Sequence, residues 1–227
     1  MNRKLITRYA IRETMGIAVM GAALFWSAGR INWWAGWAAI AVMLAWSAAT
    51  AMVIVRFNPE LLAERLGPRR GAKAWDTAIM SMLGMTQLAR YIVAGLDQRY
   101  GWRGGLPLAA QIAALTVCVL GYALVVWATA SNAYFSQIVR IQSERGHTVV
   151  NGGPYQTVRH PAYLGAILFE LAVPVLLASW WALVLSGISV SLLILRTALE
   201  DRSLQAELSG YADYTRRVAY RLLPGLW

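Results

Sequence analysis

"GGPYQTVRHPAYLGAILFELAVPVLLASWW" (residues 152–181) joins a polar, turn-forming opening directly to an apolar segment. Pro161 suits the first position of a helix because its ring fixes φ at a helical value, and His160 stands where the N-cap residue belongs. Pro174 lies within the apolar segment and predicts a kink. We therefore expect a helix that begins at Pro161 and carries Arg159 and His160 at its polar end.

The composition of the whole chain resembles that of this apolar segment. Of 227 residues, 58% are hydrophobic and 14% are charged, and the length fits one domain or two small ones. A helix needs about 20 mostly apolar residues to cross a bilayer. Candidate segments are 12–28, 33–55, 75–96, 106–130, 161–178 and 181–199. We predict an all-α fold, a polytopic membrane bundle of about six transmembrane helices with a C-terminal helical hairpin.

The positions of the basic residues predict the orientation of the bundle. With the N-terminus in the cytoplasm, seventeen basic residues fall on the inner side: Arg3, Lys4, Arg8, Arg12, Arg56, Arg65, Arg69, Arg70, Lys73, Arg140, Arg145, Arg159, Arg196, Arg202, Arg216, Arg217 and Arg221. Three fall on the outer side: Arg30, Arg99 and Arg103. Because cytoplasmic loops of membrane proteins are rich in lysine and arginine, both termini are expected in the cytoplasm.

The net charge of +10 does not indicate nucleic acid as a partner, because the basic residues flank apolar segments and form no continuous stripe. The single cysteine, Cys118, excludes a disulfide framework. His147 has no histidine or cysteine at metal-ligand spacing, so the sequence predicts no metal site. Arginine greatly outnumbers lysine, as is typical of GC-rich prokaryotic genomes. We expect a multi-pass protein of a prokaryotic inner membrane.

The segments that connect the spans also carry membrane signals. The inner loop 56–74 combines leucines with charged residues, including Arg65, and predicts a short amphipathic helix at the interface. Tryptophans fall at the proposed outer ends of the spans, where an amphipathic ring prefers the headgroup boundary. They are Trp33, Trp34, Trp37, Trp102, Trp180 and Trp181.

Polar residues that can build a functional site gather in two inner segments, the loop 131–160 and the tail 196–227. We expect the backbone N–H groups in the first turn of the helix at Pro161 to form an anion site, helped by the helix dipole. The alternative is a basic anchor at the membrane surface, flanked by two interfacial tyrosines, Tyr155 and Tyr163.

Charged residues mark the point where the last span leaves the membrane. Arg196 and Glu200 are four residues apart and share a helix face, and Asp201 follows them. Charges this close to hydrocarbon are functional or paired, so a site and a structural Arg196–Glu200 pair both fit. Arg90 and Glu170 lie deeper in their spans, and we expect a structural pairing between them.

The order of these motifs is similar to that of a known enzyme family. "GPYQTVRHPAYLG" is followed by a hydrophobic hairpin, then by "RTALEDRSL" and "GYADY". This pattern resembles the isoprenylcysteine carboxyl methyltransferase family, whose signature is Arg-His-Pro-x-Tyr, a hydrophobic stretch and a Glu-Glu pair. Four residues match the first part: Arg159, His160, Pro161 and Tyr163. Glu200 matches the first acid, and Asp201 stands in place of the second. The resemblance covers residues 131–227 and extends to the related membrane phospholipid N-methyltransferases.

The resemblance implies S-adenosylmethionine as the methyl donor, bound between the loop and the tail. It divides the chain into four N-terminal spans with the amphipathic loop, residues 1–130, and a cofactor-binding region, residues 131–227. It implies cofactor contacts from Tyr155, Arg159, His160, Pro161, Tyr163, Leu164, Gly165 and Glu200. It implies catalytic roles for Arg196, Glu200 and Asp201. His160 suits the carboxylate of the cofactor, Glu200 its ammonium group or a ribose hydroxyl, and the tyrosines its adenine or sulfonium.

The resemblance also implies a lipidic or amphipathic acceptor that is reached from the bilayer, with membrane lipids as partners. The named reaction of the family is the carboxyl methylation of a prenylated cysteine. A carboxylate acceptor needs no general base, and Arg196 would orient it, whereas an amine needs Glu200 or Asp201 to take a proton. Three alternatives stay open: a phospholipid amine N-methyltransferase, an NADPH-dependent reductase of the sterol type and a non-enzymatic membrane protein.

Overall fold

The computed structural model describes residues 3–67, 71–102 and 104–227. The predicted inner residues Arg69 and Arg70 and the predicted outer residue Arg103 lie outside this described part. Helices are the only regular secondary structure among the described residues. The α-helices are α1 (Arg3–Ala28), α2 (Trp34–Phe57), α3 (Glu60–Leu66), α4 (Ala74–Tyr100), α5 (Leu108–Ser131), α6 (Pro161–Leu176), α7 (Trp180–Glu207) and α8 (Tyr211–Arg217). Two short 3-10 helices cover Ser143–Arg145 and Gly153–Gln156. The predicted all-α fold is confirmed.

Four of these helices are long and apolar enough to cross a membrane, namely α2, α4, α5 and α7. Helix α6 is apolar as well but has only 16 residues. Helix α1 begins at Arg3, so the basic tail that was expected to precede the first span is itself helical. The protein is therefore a multi-pass membrane protein, and the number of six spans stays a prediction.

The segments predicted on the inner side meet at one end of the bundle. Arg12 of α1 donates a hydrogen bond from Nη1 to the carbonyl oxygen of Arg65 in α3 at 2.6 Å. Lys73, before α4, forms an ion pair with Glu207 at the end of α7. Contacts of this kind join all the predicted inner segments at one end of the bundle. The side of the membrane that this end faces stays a prediction.

A three-residue turn, 177–179, connects α6 to α7 at the opposite end. Ala178 adopts a positive φ of 57°, which closes the turn tightly. Ser179 caps α7 by accepting a hydrogen bond from the backbone N–H of Ala182 at 3.2 Å, and its hydroxyl donates to Oδ2 of Asp97 at 2.7 Å. The predicted helical hairpin is thus present and is anchored to the end of α4.

Helix α6 packs closely against α5 because two glycines face each other. A Cβ atom added at Gly165 would lie 2.4 Å from the carbonyl oxygen of Gly121, and one added at Gly121 would lie 2.6 Å from that of Gly165. Small residues allow such a backbone approach between membrane helices. This contact fixes the position of α6 and of the side chains at its N-terminal end.

An ion pair lies buried within the bundle. The guanidinium of Arg90 in α4 donates to the carboxylate of Glu170 in α6, and the two residues are 1% and 2% exposed. Gln87 also donates to Glu170, from Nε2 to Oε1 at 3.2 Å. The predicted pairing across helices is confirmed, and it satisfies charges that would otherwise be costly in an apolar environment.

Two residues are more buried than the sequence pattern indicates. Helix α3 forms within the loop 56–74 as expected, but Arg65 of its predicted polar face is only 8% exposed. Its guanidinium carbon lies 5.4 Å from the ring centroid of Phe135, in the segment after α5, and covers that ring. Trp33, predicted at the outer boundary, is buried in the main core.

Candidate functional site

The segment before α6 and the segment after α7 lie against each other. The backbone N–H of Arg159 donates to the carbonyl oxygen of Tyr220 at 2.9 Å, and that of His160 donates to the carbonyl oxygen of Arg221 at 2.9 Å. This pairing brings together the two inner segments that the sequence marks as polar. Their expected proximity is therefore present in the structure.

Asp201 holds the two segments together. Its carboxylate accepts hydrogen bonds from Nε of Arg159 at 2.8 Å, from Nε of Arg221 at 2.8 Å and from the hydroxyl of Tyr211 at 3.0 Å. Nε2 of His160 lies 3.2 Å from the same carboxylate. Asp201 is fully buried. Burial alone would lower the pKa of Arg159, but its hydrogen bonds to Asp201 outweigh burial and raise it.

Glu200 faces a different group of side chains from Asp201, because consecutive residues of a helix point about 100° apart. The hydroxyl of Tyr163, on α6, donates a hydrogen bond to Oε2 of Glu200. The guanidinium carbon of Arg196 lies 5.4 Å from the ring centroid of Tyr163. The first acid of the motif is thus joined to its Arg-His-Pro-x-Tyr part through the tyrosine.

Arg196 pairs with an acid that the sequence did not indicate. Its Nε donates to Oδ1 of Asp76, at the start of α4, at 2.7 Å, and its Nη2 donates to the carbonyl oxygen of Gln137 at 2.9 Å. The alternative prediction of a structural ion pair between Arg196 and Glu200 is therefore wrong, because Arg196 pairs with Asp76. Since Asp76 takes the guanidinium, the carboxylate of Glu200 keeps only the tyrosine as a partner within hydrogen-bond distance among the described residues.

These side chains surround a cavity of about 450 Å³. Six predicted site residues line it: Tyr155, Arg159, His160, Tyr163, Arg196 and Glu200. The cavity continues between the helices, where apolar side chains line it: Met80, Leu83, Val125, Ala166 and Leu193. It therefore has a polar end, next to the segment before α6 and the end of α7, and an apolar arm among α4, α5, α6 and α7. A volume of a few hundred Å³ with few polar groups is typical of small-molecule sites.

Four of the predicted site residues do not line this cavity. Pro161 occupies the first turn of α6 as expected, Gly165 packs against α5, and Leu164 lies between them. Asp201 is buried behind the cavity wall. In this position its carboxylate holds Arg159 and His160, which do line the cavity, by hydrogen bonding and close contact.

The first turn of α6 differs from the expectation of free N–H groups. The backbone N–H groups of Tyr163 and Leu164 both donate to the carbonyl oxygen of His160, at 3.1 and 3.3 Å. Pro161 has no N–H group. An anion at this position would rely on side chains such as that of His160 more than on the helix end.

The polar end of the cavity includes residues that the sequence did not single out for binding. His147 lines the cavity, stacks on Tyr134 with ring centroids 4.4 Å apart and accepts a hydrogen bond at Nδ1 from the backbone N–H of Gln142 at 3.3 Å. Burial and the nearby charge of Arg145 lower the pKa of His147. No role for His147 followed from the sequence, which predicted no metal site there, because the contacts of this residue with the cavity are made by tertiary packing.

Two tyrosines fix the wall opposite Glu200. Tyr155 is buried, and its hydroxyl accepts a hydrogen bond from Nδ2 of Asn132 at 3.2 Å. Tyr214 of α8 donates from its hydroxyl to the carbonyl oxygen of Tyr155 at 2.7 Å. Burial raises the pKa of Tyr155 and raises that of Tyr214 to about 12, so both phenols stay protonated at neutral pH.

The fold and the site together define a multi-pass helical membrane protein with a cavity that is polar at one end and apolar between the helices. Residues 113–206 match the family model described as the isoprenylcysteine carboxyl methyltransferase (ICMT) family. This stretch contains α6, nearly all of α7 and the charged residues Arg196, Glu200 and Asp201, and over these residues the chain is similar to that family. The resemblance predicted from the motifs is confirmed.

A solved structure is also similar to the chain. It is described as the eukaryotic intramembrane Ras methyltransferase ICMT (isoprenylcysteine carboxyl methyltransferase) without a monobody. The sequence identity is 16% and the TM-score is 0.47, over 99% of this chain and 87% of the other. No curated protein matches the sequence.

Proposed function

We propose that this protein is an integral-membrane methyltransferase that uses S-adenosylmethionine and acts on a lipidic or amphipathic acceptor. The family whose model matches residues 113–206 is one of methyltransferases. The observation that carries the proposal is the single cavity that joins Glu200 and His160 to an apolar arm between membrane helices. A polar donor and an apolar acceptor can meet only in a cavity that has both a polar and an apolar part. We also propose six spans, with both termini in the cytoplasm of a prokaryotic cell, and a cofactor-binding region at residues 131–227.

The residues at the polar end fit the chemical groups of S-adenosylmethionine. The carboxylate of Glu200 suits an ammonium group or a ribose hydroxyl, because charge-assisted hydrogen bonds are the strong ones. His160 and Arg159 suit the donor's carboxylate. The ring of Tyr163 suits a positively charged sulfonium, which is attracted to the face of an aromatic ring. When bound, the donor supplies an electrophilic methyl group on that sulfonium.

The protein's part in the transfer is to align the acceptor and exclude water. The donor would supply the methyl group and would leave as a neutral thioether, while the acceptor would supply the electron pair for the new bond. A carboxylate acceptor has no proton to lose. An amine acceptor loses one, and Glu200 is the carboxylate on the cavity wall that can take it. Arg196 lines the cavity beside Glu200 and suits an orienting role, whereas Asp201 suits a positioning one.

The experiment that tests this function is transfer of label from radioactive S-adenosylmethionine. The purified protein is incubated with the labelled donor and a total lipid extract, and the products are separated by chromatography. We expect label in an amphipathic fraction, and less label with the Glu200→Gln variant at the same donor concentration. A parallel titration with NADPH, followed by difference absorbance, tests the reductase alternative. Binding of NADPH without binding of S-adenosylmethionine would replace the proposal, and binding of neither would favour a non-enzymatic protein.

A further inference from the structure

A second cavity, of about 540 Å³, lies at the same end of the bundle between α1, α3 and the segment that follows α5. It shares Arg65 and residues 136–138 with the wall of the cavity described above, so the two spaces are neighbours. Three arginines line it: Arg8, Arg12 and Arg65. Neither the family signature nor the proposed methyl transfer uses this space.

Arg65 has no carboxylate within ion-pair distance in the part of the chain that the structure describes. The residue is 8% exposed, and its Nε has no hydrogen-bond partner. Its Nη1 makes only a long contact of 3.4 Å to the hydroxyl of Tyr9. Burial lowers the pKa of Arg65. A buried guanidinium without an acid is costly and indicates that an anion completes the site.

The acids near this cavity are already neutralised. Glu64 lines it, but its carboxylate accepts from Nε of Arg140 at 3.0 Å and from Nη2 at 2.7 Å. Arg12 is paired with Glu13 at 2.6 Å. Arg8 is exposed and has no acidic partner among the residues that the structure describes. The cavity therefore presents the positive charges of Arg8 and Arg65 to whatever enters it.

An apolar strip adjoins these charges. Ile11 and Met15 also line the cavity, and they are 56% and 62% exposed. With Arg8 they follow the spacing that places residues on one face of α1. Ile11 and Met15 stand at the start of the predicted first span, 12–28, where exposed apolar side chains would face acyl chains and the arginine end would face headgroups. The occupant that fits has an anionic head next to an apolar chain.

We propose that this second cavity binds one anionic phospholipid of the inner leaflet, with its phosphate at Arg8 and Arg65 and an acyl chain along Ile11 and Met15. The site goes beyond the methyl transfer, because it does not depend on the donor or the acceptor. A phosphodiester fits a guanidinium well, since Arg presents donors in a planar fork. The bound lipid supplies Arg65 with the directly paired anion that the described residues do not provide.

Native mass spectrometry of the full-length protein in detergent tests this proposal. Dioleoyl phosphatidylglycerol and dioleoyl phosphatidylcholine are titrated separately, and inorganic phosphate is added as a competitor. We expect one molecule of phosphatidylglycerol to bind more tightly than phosphatidylcholine. Each interfacial arginine contributes about 1 kcal/mol, so Arg8→Gln should weaken phosphatidylglycerol binding about fivefold. Arg65→Gln should weaken it at least as much.

The matched control is Arg216→Gln, an equal loss of charge at an exposed residue of α8 that does not line the cavity. Its affinity for phosphatidylglycerol should stay within about twofold of the unchanged protein, as for a screened surface charge. Arg65→Gln alters a buried site and could prevent folding. In that case the test depends on Arg8→Gln, which alters an exposed residue. Equal binding of both lipids, or unchanged binding by Arg8→Gln, overturns the proposal. Displacement of the lipid by phosphate would show a site for a free anion and overturn it as well.

Discussion

The guanidinium of Arg159 donates two hydrogen bonds to the carboxylate of Asp201, from Nε to Oδ1 at 2.8 Å and from Nη2 to Oδ2 at 3.1 Å. Both residues are buried. The pair joins the loop before α6 to the end of α7, and paired donors of this kind fix geometry as well as adding energy. His160 and Glu200 are the direct sequence neighbours of these two residues, so the pair sets the distance between the two parts of the motif.

Replacing Asp201 by asparagine should destabilise the protein. Arg159 and Arg221 would lose their shared counter-charge, and breaking a buried pair costs about 3–5 kcal/mol. Denaturant unfolding in detergent measures the change. Asp213→Asn is the control, because this acid is 70% exposed and pairs only with Arg216, so a change within about 0.5 kcal/mol is expected. If Asp201→Asn unfolds like the unchanged protein but transfers no methyl group, Asp201 has a direct catalytic role instead.

Replacing Glu200 by glutamine should weaken the binding of S-adenosylmethionine with little effect on folding. A hydrogen bond to a charged group is worth about 1.5–3 kcal/mol, so an affinity loss of about tenfold or more is expected by calorimetry. Glu60→Gln is the matched control, since Glu60 is 77% exposed and pairs with Arg145, and neither residue lines the cavity. Equal affinity of both variants and the unchanged protein would argue that Glu200 does not touch the donor.

The features that the sequence predicted correctly depend on residues that are near one another in the chain. The start of α6 at Pro161 follows from its own ring and from the polar residues before it. The partner of Arg196 could not be predicted in this way, because Asp76 is distant in sequence and local periodicity carries no signal for it. Arg65 was placed on a polar helix face, whereas its burial results from Phe135 in another segment.

Because α5 and α6 approach each other closely, adding a single methyl group at Gly165 should strongly destabilise the protein. Gly165→Ala would place Cβ 2.4 Å from the carbonyl oxygen of Gly121 and push α6 away from α5. Overpacking of this kind costs about 1–3 kcal/mol, and displacement of Tyr163 and His160 should also reduce donor binding. Gly187→Ala, in α7, is the control because no heavy atom lies within 4 Å of its added Cβ. Unfolding measurements should show loss for Gly165→Ala and no loss for Gly187→Ala; equal stability would mean that the helices can separate freely.

The free energy of unfolding should depend on pH through the ion pair of Glu64 with Arg140. Hydrogen bonds from Arg140 lower the pKa of Glu64 below its ordinary value. A carboxyl group with a lowered pKa stabilises the folded state above its unfolded pKa of about 4.3, and this contribution is lost as the pH falls through the folded pKa. Glu64→Gln should therefore be less stable than the unchanged protein at pH 7, by about 0.5–1 kcal/mol for a partly exposed pair, and the difference should vanish in acid. A difference that stays constant down to pH 3 would indicate packing in place of charge.

A double-mutant cycle on the buried pair of Arg90 and Glu170 should show a strong coupling free energy between the two residues. Glu170→Met leaves the guanidinium in the bundle without its carboxylate, which should cost about 3–5 kcal/mol. Arg90→Met combined with Glu170→Met removes both charges, and apolar replacements of a buried pair are often neutral, so the double variant should recover most of this loss. Unfolding in mixed micelles gives the four free energies and the coupling between the residues. If the losses of the two single variants simply add, the residues do not compensate each other, and the charge of Arg90 is balanced by other groups in the bundle.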